Sequence, residues 1–353
     1  LGLATPTAVA VGTGLGAKHN ILIKDAATLE GLSRIEVLVL DKTGTITEGK
    51  PSVTDIRPAH GYAEDDVLTR AAALAGESTH PLSRAIVRAA NGQSLAVPEL
   101  VSGVTDHPGK GMEGTVGGTL TFLGNGALLD EAGVDTGRLT DQATDLAARG
   151  RSLVWVASGG EVVGVIGITD AIRPTSAGAI DELKSMGIDP VLMSGDLRET
   201  AERVAKSVGI ARVLAEVRPE QKAEQVKALQ AEGQFVAMVG DGVNDAPALA
   251  QADIGIAIGK GTDVAIEAAQ VVLMRSDPAD IARAIRLSKA TVRKMKQNLA
   301  WASVYNLLAI PVAAGVFYHS LGWSLRPEVS ALLMSASSII VALNAVSLRR
   351  ARI

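Results

Sequence analysis

Two short apolar runs, residues 35–40 and 235–239, lead into acidic residues: Asp41 directly after the first, and Asp241 after Gly240 in the second. Runs this short and this uniformly apolar suit strands buried on both faces of a sheet. Residues 190–193 and 254–258 have the same character, and helical patterns at 176–186, 199–208 and 220–232 separate the runs. Strands alternating with helices imply a doubly wound parallel sheet, an α/β fold. Ligands of such sheets bind beyond the carboxyl ends of the strands, where Asp41, Ser194-Gly195-Asp196 and Asp241 all fall. An Asp at a strand mouth is a candidate nucleophile, and a second acidic pair at another mouth is a candidate Mg²⁺ site that lets a carboxylate approach a phosphoryl group.

The sheet pattern is interrupted. From about residue 51 to 165 the chain has more turns and glycine, with β-like runs at 119–123 and 153–156, and this reads as an insertion. The sheet pattern returns at Gly167-Ile168-Thr169-Asp170, then Arg173-Pro174. The 353 residues allow two or three domains, and the interspersed charges, net −4, give no surface for nucleic acid. The absence of cysteine excludes disulfide and thiolate chemistry within these residues.

Residues 299–318 and 329–348 carry no charge and are each long enough to cross a bilayer, which takes about 20 apolar residues. Residues 319–328 form a short turn between them, so the pair reads as a hairpin. Arg293, Lys294 and Lys296 precede it and Arg349, Arg350 and Arg352 follow it, which puts both ends in the cytoplasm. Residues 1–17 are also uncharged, contain Pro6 and four glycines, and begin with Leu; they read as the second half of a membrane helix, in the C-terminal portion of a longer, multi-pass plasma-membrane protein.

The pentapeptide Asp41-Lys42-Thr43-Gly44-Thr45 after its strand, followed two hundred residues later by Gly240-Asp241-Gly242-Val243-Asn244-Asp245, resembles the P-type ATPases, a branch of the haloacid-dehalogenase-like phosphotransferases, over essentially the whole chain. The resemblance implies that Asp41 accepts the phosphoryl group, with Thr43 contacting phosphate and Mg²⁺. Met193-Ser194-Gly195-Asp196 stands where the family usually has Thr-Gly-Asp, and Ser194 keeps the hydroxyl for a phosphoryl oxygen; Gly195, Asp196 and Asn244 are further phosphate contacts. Lys222 resembles the lysine that neutralises the transferring group. Asp241 resembles the Mg²⁺ ligand, supported by Asp245 and joined by Asp41 and Thr43. Hydrolytic relatives commonly carry a second Asp where Thr43 stands, so the aspartyl-phosphate of this chain is expected to persist.

Within the insertion, Glu77-Ser78-Thr79-His80-Pro81 and Gly109-Lys110-Gly111 resemble the nucleotide-binding signature of the heavy-metal-transporting members. The resemblance implies that Glu77 and His80 contact adenine, that Gly109 and Gly111 let the backbone approach ATP, and that Asn125 adds a contact. The second string also satisfies G-x-G-x-x-G, but no βαβ unit surrounds it, which excludes a dinucleotide fold. In the hairpin, Tyr305 and Asn306 with Met334 and Ser338 match the copper-transporting members, and a thioether suits copper better than a hard ion. The Lys and Asp expected of zinc or cadmium pumps are missing from these helices. The family's Cys-Pro motif and its Thr-Gly-Glu loop are not in this sequence, so the oxidation state of the copper stays open.

The resemblance therefore implies a haloacid-dehalogenase-like phosphorylation domain, residues 18–50 and 166–296, interrupted by an α+β nucleotide-binding domain, 51–165, between the end of one membrane helix, 1–17, and a C-terminal transmembrane hairpin with a basic tail, 297–353. The expected activity is ATP-driven copper export, with ATP, Mg²⁺ and copper as ligands, the bilayer and a copper chaperone as partners, and catalytic domains in the cytoplasm. The alternatives are a membrane-tethered phosphatase of the same superfamily, a pump for zinc, cadmium or cobalt, and a non-enzymatic remnant whose helices associate with a partner.

Overall fold

The computed structural model describes residues 2–98, 100–196, 198–259, 263–316 and 327–351. The chain divides into two compact units, one formed by Leu1–Ile46 with Arg173–Ile353 and the other by Thr47–Ile172.

The first unit is built on a seven-stranded sheet. Its strands are β1 (Ile21–Ile23), β2 (Val37–Asp41) and, after the insertion of β3–β8, β9 (Asp189–Met193), β10 (Arg212–Leu214), β11 (Val236–Gly240), β12 (Ile254–Ile258) and β13 (Val271–Leu273). The spatial order is β1-β13-β12-β11-β2-β9-β10. All neighbours are parallel except β1 and β13, so the expectation of a parallel sheet needs correction at one edge. There the chain enters from the helix Ala4–Lys18 and a short strand can add only by running back along β13. Every residue of β2, β11 and β12 is buried, as uniformly apolar runs with helices on both faces require. Parallel pairing brings the carboxyl ends of β2, β9 and β11 side by side, with Asp41 opposite Met193 and Leu40 opposite Val239.

The inserted unit holds a six-stranded antiparallel sheet, ordered β3-β8-β7-β6-β5-β4. Its strands are β3 (Ser52–Pro58), β4 (Val101–His107), β5 (Gly111–Val116), β6 (Thr119–Gly124), β7 (Ser152–Ser158) and β8 (Glu161–Thr169). The helices Glu64–Ala75 and Pro81–Gly92 bury Leu68, Leu74 and Ile86 against one face. A bridge between Thr47 and Ile172 closes the neck where the chain enters and leaves.

One helix, Ala279–Ala313, runs without a break from the sheet-bearing part of the first unit into the apolar region. Position 296, where the sequence pattern changes from soluble to apolar, lies inside it, so the two regions are joined by a rigid element rather than by a linker. The helix Pro327–Val346 follows. Among the described residues one helical segment, Leu332–Arg350, is long and apolar enough to cross a membrane. The expected first span reaches residue 318, and residues 317–326, which include most of the expected turn, lie outside the described residues. Asn298 is fully buried and donates to the Ala4 carbonyl at 3.0 Å, while Asn344 donates to Asn298 Oδ1 at 2.8 Å and accepts from Lys294 Nζ at 3.0 Å. This chain of amides ties together three helices, the first of which packs its Gly12 and Gly16 against Thr291 and Leu287 of the long helix.

Candidate phosphoryl-transfer site

The carboxyl ends of β2 and β11 deliver three carboxylates to one place. Asp41 closes β2, Asp241 follows β11, and Asp245 sits in the turn Val243–Asp245; one oxygen from each lies within 4.8 Å of the others. Lys222, at the start of the helix Lys222–Ala231, reaches Asp41 Oδ1 at 2.7 Å and Asp245 Oδ1 at 2.6 Å. All of Asp41, Asp245 and Lys222 are buried. The Thr43 N–H donates to Asp41 Oδ2 at 3.0 Å, so each oxygen of that carboxylate has a donor. The Asp245 carboxylate also accepts from the N–H groups of Asp241 and Gly242 at 3.3 and 3.2 Å, which fixes the turn after β11.

The turn after Asp41 depends on glycine. Gly44 has φ +76°, and a Cβ built there would lie 1.8 Å from Asp241 Oδ2. Only the missing side chain lets the Asp241 carboxylate come down onto this loop. Arg173, noted in the sequence only as a marker of the returning sheet, donates from Nη2 to the Gly44 carbonyl at 3.1 Å.

The Lys222 ammonium and, near Asp241, the Arg173 guanidinium face three carboxylates, which leaves excess negative charge in a largely buried place. Burial, followed by the charge of Asp245, raises the Asp41 pKa from 3.8 to about 7 against the pull of Lys222. Burial, again with Asp245 second, raises Asp241 to about 6. Burial draws Lys222 down, but the charges of Asp41 and Asp245 outweigh it and hold the pKa above 10.5. Three hard oxygen donors with unbalanced charge, set against a loop kept clear by glycine, fit Mg²⁺. Asp245 is placed as centrally as Asp241, which sequence reasoning had made the principal ligand; its buried contact with Lys222 has no signature in the linear order.

The remaining expected residues of this site are arranged around it. Ser194 is buried after β9 and its Oγ accepts from the Asp196 N–H at 3.1 Å; Gly195 is exposed beside it. Asp196 is paired with Lys42 at 2.5 Å, a contact across 154 positions of sequence that the motifs did not reveal. Asn244 is exposed in the turn before Asp245.

The inserted unit has its own cavity, about 540 Å³, lined by His80, Gly109, Gly111 and Asn125 together with Ser78, Leu82, Ile86, Met112 and Leu153. His80 caps the helix Pro81–Gly92, its Nδ1 accepting from the Leu82 N–H at 3.2 Å, and partial burial lowers its pKa from 6.5. Asn125 caps Gly126–Glu131 through Oδ1 and donates from Nδ2 to the Gly109 carbonyl at 3.1 Å, tying the glycine loop to the cavity wall. Gly111 has φ +140° and its Cβ would lie 2.3 Å from the Leu123 carbonyl, so the adjoining strand by itself demands glycine there. Glu77 is exposed just past the preceding helix and does not line the cavity.

The expected copper residues are not gathered into a site among the described side chains. Asn306 Nδ2 donates to its own helix at Ala302, Ser338 Oγ donates to the Met334 carbonyl, and Met334 is exposed. Tyr305 lies in the same helix as Asn306, its side chain outside the described residues.

Residues 35–253 match the family model of the haloacid dehalogenase-like hydrolases. Among curated proteins, the chain is 47% identical to the probable copper-transporting ATPase PacS of Synechococcus elongatus, over 99% of the chain and 47% of that protein. It is also 47% identical to the copper-exporting P-type ATPase B of Archaeoglobus fulgidus, over 99% of the chain and 50% of that protein. The chain thus spans about half the length of the curated relatives it matches. Among solved structures it resembles a zinc-transporting PIB-type ATPase in the E2.Pi state, with TM-score 0.80 and 34% identity over 99% of the chain and 55% of that structure. A catalytic domain of the CPx-ATPase CopB-B matches with TM-score 0.61 and 26% identity, over 78% of the chain and 98% of that domain. The chain belongs to the haloacid dehalogenase-like hydrolase family, in its P-type ATPase branch.

Proposed function

We propose that this chain is the catalytic and C-terminal membrane part of an ATP-driven copper exporter working through an aspartyl-phosphate. The observation that carries the reading is the buried meeting of Asp41 with Lys222 beside Asp241 and Asp245. In the step we assign, an Asp41 carboxylate oxygen attacks the terminal phosphorus of ATP, a P–O bond forms, and the bond to the departing ADP breaks. Lys222 balances the charge of the nucleophile and of the incoming group, and the Thr43 N–H orients Asp41. Phosphoryl transfer relies mainly on such positioning and charge stabilisation. Bound Mg²⁺, held by Asp41, Asp241 and Asp245, would offset the remaining negative charge. Ser194 and Asn244 supply polar contacts for phosphate oxygens, and Thr43 offers no second carboxylate to activate water.

The cavity of the inserted unit is the proposed ATP site, with His80 and the Gly109–Gly111 loop as its polar and backbone contacts and apolar Leu82, Ile86 and Leu153 to receive adenine. Copper is the proposed cargo, on the strength of the names of the curated relatives and the thioether of Met334 beside Ser338 on a membrane helix; Tyr305 and Asn306 complete the proposed set. The protein is placed in a membrane, with both units on the side of the basic flanking residues.

The test is acid-quenched phosphorylation of the full-length protein by terminally labelled ATP with Mg²⁺, in the presence of copper or zinc. Hydroxylamine-sensitive label that depends on copper and disappears in Asp41→Asn is expected. Equal labelling of Asp41→Asn overturns the phosphoenzyme, and labelling that depends on zinc rather than copper overturns the cargo.

A further inference from the structure

A shallow surface depression, open to solvent, lies along the long helix Ala279–Ala313 where that helix leaves the catalytic unit. Its wall carries Lys289, Arg293 and Lys296 with Ser33 and Gln297, and no carboxylate. Lys289 is anchored to the Met186 carbonyl at 3.2 Å. Arg293 and Lys296 are exposed and have no acidic partner among the described residues. Three cations clustered along one helix face repel one another unless an anion sits among them.

The helix shows which anion. At 3.6 residues per turn, positions 289, 293 and 296 fall on a single stripe that continues through Ala300, Val304 and Leu307, all within about 80° of arc. Ala300 lines the same depression, while Val304 and Leu307 are 51% and 74% exposed. One helix face therefore changes from cationic to bare apolar within about one turn. From Lys296 to Leu307 the rise is about 16 Å, close to the depth of one hydrocarbon leaflet. A free anion has no use for the apolar continuation, and an acyl chain alone has none for the cations. A molecule with a phosphodiester head and a hydrocarbon tail matches both.

We propose that Lys289, Arg293 and Lys296 seat the phosphate of an anionic glycerophospholipid of the cytoplasmic leaflet, with its acyl chains along Ala300, Val304 and Leu307. This rests on the membrane placement above. A lipid held there touches a continuous helix that joins the catalytic unit to the membrane, so anionic-lipid content becomes an input to that helix.

The experiment equilibrates the chain in neutral detergent with phosphatidylglycerol, phosphatidylcholine or inorganic phosphate and counts retained lipid by native mass spectrometry. Arg293→Gln/Lys296→Gln serves as the comparison, glutamine being a good helix former at exposed positions. One phosphatidylglycerol per chain is expected, with phosphatidylcholine not retained. The variant should bind about 25-fold more weakly, each cation near an anionic headgroup being worth about fivefold. Equal retention of both lipids, or undiminished retention by the variant, overturns the proposal. Displacement by millimolar inorganic phosphate assigns the groove to free phosphate instead. Loss of retention in the full-length protein assigns it to another part of that chain. Flotation with phosphatidylcholine vesicles separates the two levels: a chain that floats but shows no selectivity sinks only the lipid site, whereas one that does not float sinks the membrane placement and this inference together.

Discussion

Asp41→Asn should stabilise the catalytic unit while abolishing its chemistry. Burial, with Asp245 second, lifts the Asp41 carboxyl from 3.8 to about 7. At about 1.36 kcal/mol per pH unit, the gap costs the folded state about 4 kcal/mol once the group is ionised in both states. The sign follows from the folded value being the higher one. The cost is absent below pH 3.8, grows as the unfolded chain ionises, and is complete above about pH 7. Asparagine removes that cost, and because the folded value already includes the pull of Lys222 through its 2.7 Å contact, nothing further is taken back. The gain is about 4 kcal/mol at pH 8 and about 3 kcal/mol at pH 6. For a unit of this size, about 4 kcal/mol raises Tm by about 8–16 °C. Circular dichroism melts of both forms with EDTA, at pH 6 and pH 8, measure it. Added Mg²⁺ should narrow the gap, because a ligand that binds only the folded wild type stabilises it by mass action. A variant that melts no higher at pH 8, or whose advantage is the same at both pH values, would refute the claim that this carboxylate is held under electrostatic strain.

Three other outcomes are expected. Gly44→Ala puts a methyl group 1.8 Å from Asp241 Oδ2 at a left-handed φ, so it should weaken Mg²⁺ binding at least tenfold by calorimetry, and unchanged binding would contradict the placement of Asp241. His80 caps its helix only with Nδ1 unprotonated and its pKa lies below 6.5, so its cap is fully present above pH 6.5 and is lost as the pH falls through the lower folded value; His80→Ala should cost about 1 kcal/mol at pH 8, little at pH 5, and should weaken ATP binding at pH 8. Asn298→Ala leaves the Ala4 carbonyl and the Asn344 amide without their buried partner and should cost about 1–3 kcal/mol in detergent melts, while Asn344→Ala, which is only partly buried, should cost less.

Much of this was legible in linear order because the chemistry sits at strand ends. An apolar run buried on both faces declares a central strand, and the residue that ends it must emerge at the sheet's carboxyl edge, so Asp41 and Asp241 could be placed from their neighbours alone. His80, Gly109 and Asn125 were singled out through the resemblance of their short motifs, and the fold shows them to be a helix cap, a left-handed turn residue and a second cap.

What the sequence could not state is which side chains meet across the fold. The sharing of Lys222 between Asp41 and Asp245 and the pairing of Lys42 with Asp196 join residues that the order β11-β2-β9 makes neighbours, and the reach of Arg173 to Gly44 follows from the Thr47–Ile172 bridge at the neck of the insertion. The direction of the antiparallel edge strand is likewise a matter of which strand edge remains to be covered once the sheet has formed. The continuity of the helix through position 296 was hidden for the opposite reason: a change from polar to apolar residues looks like a boundary, but backbone hydrogen bonding is indifferent to it. Periodicity and strand-end chemistry thus pointed to the class of fold and to Asp41 as the candidate nucleophile. Long-range packing alone set the charge balance around it, because a pKa depends on burial and on neighbours that sequence distance does not measure.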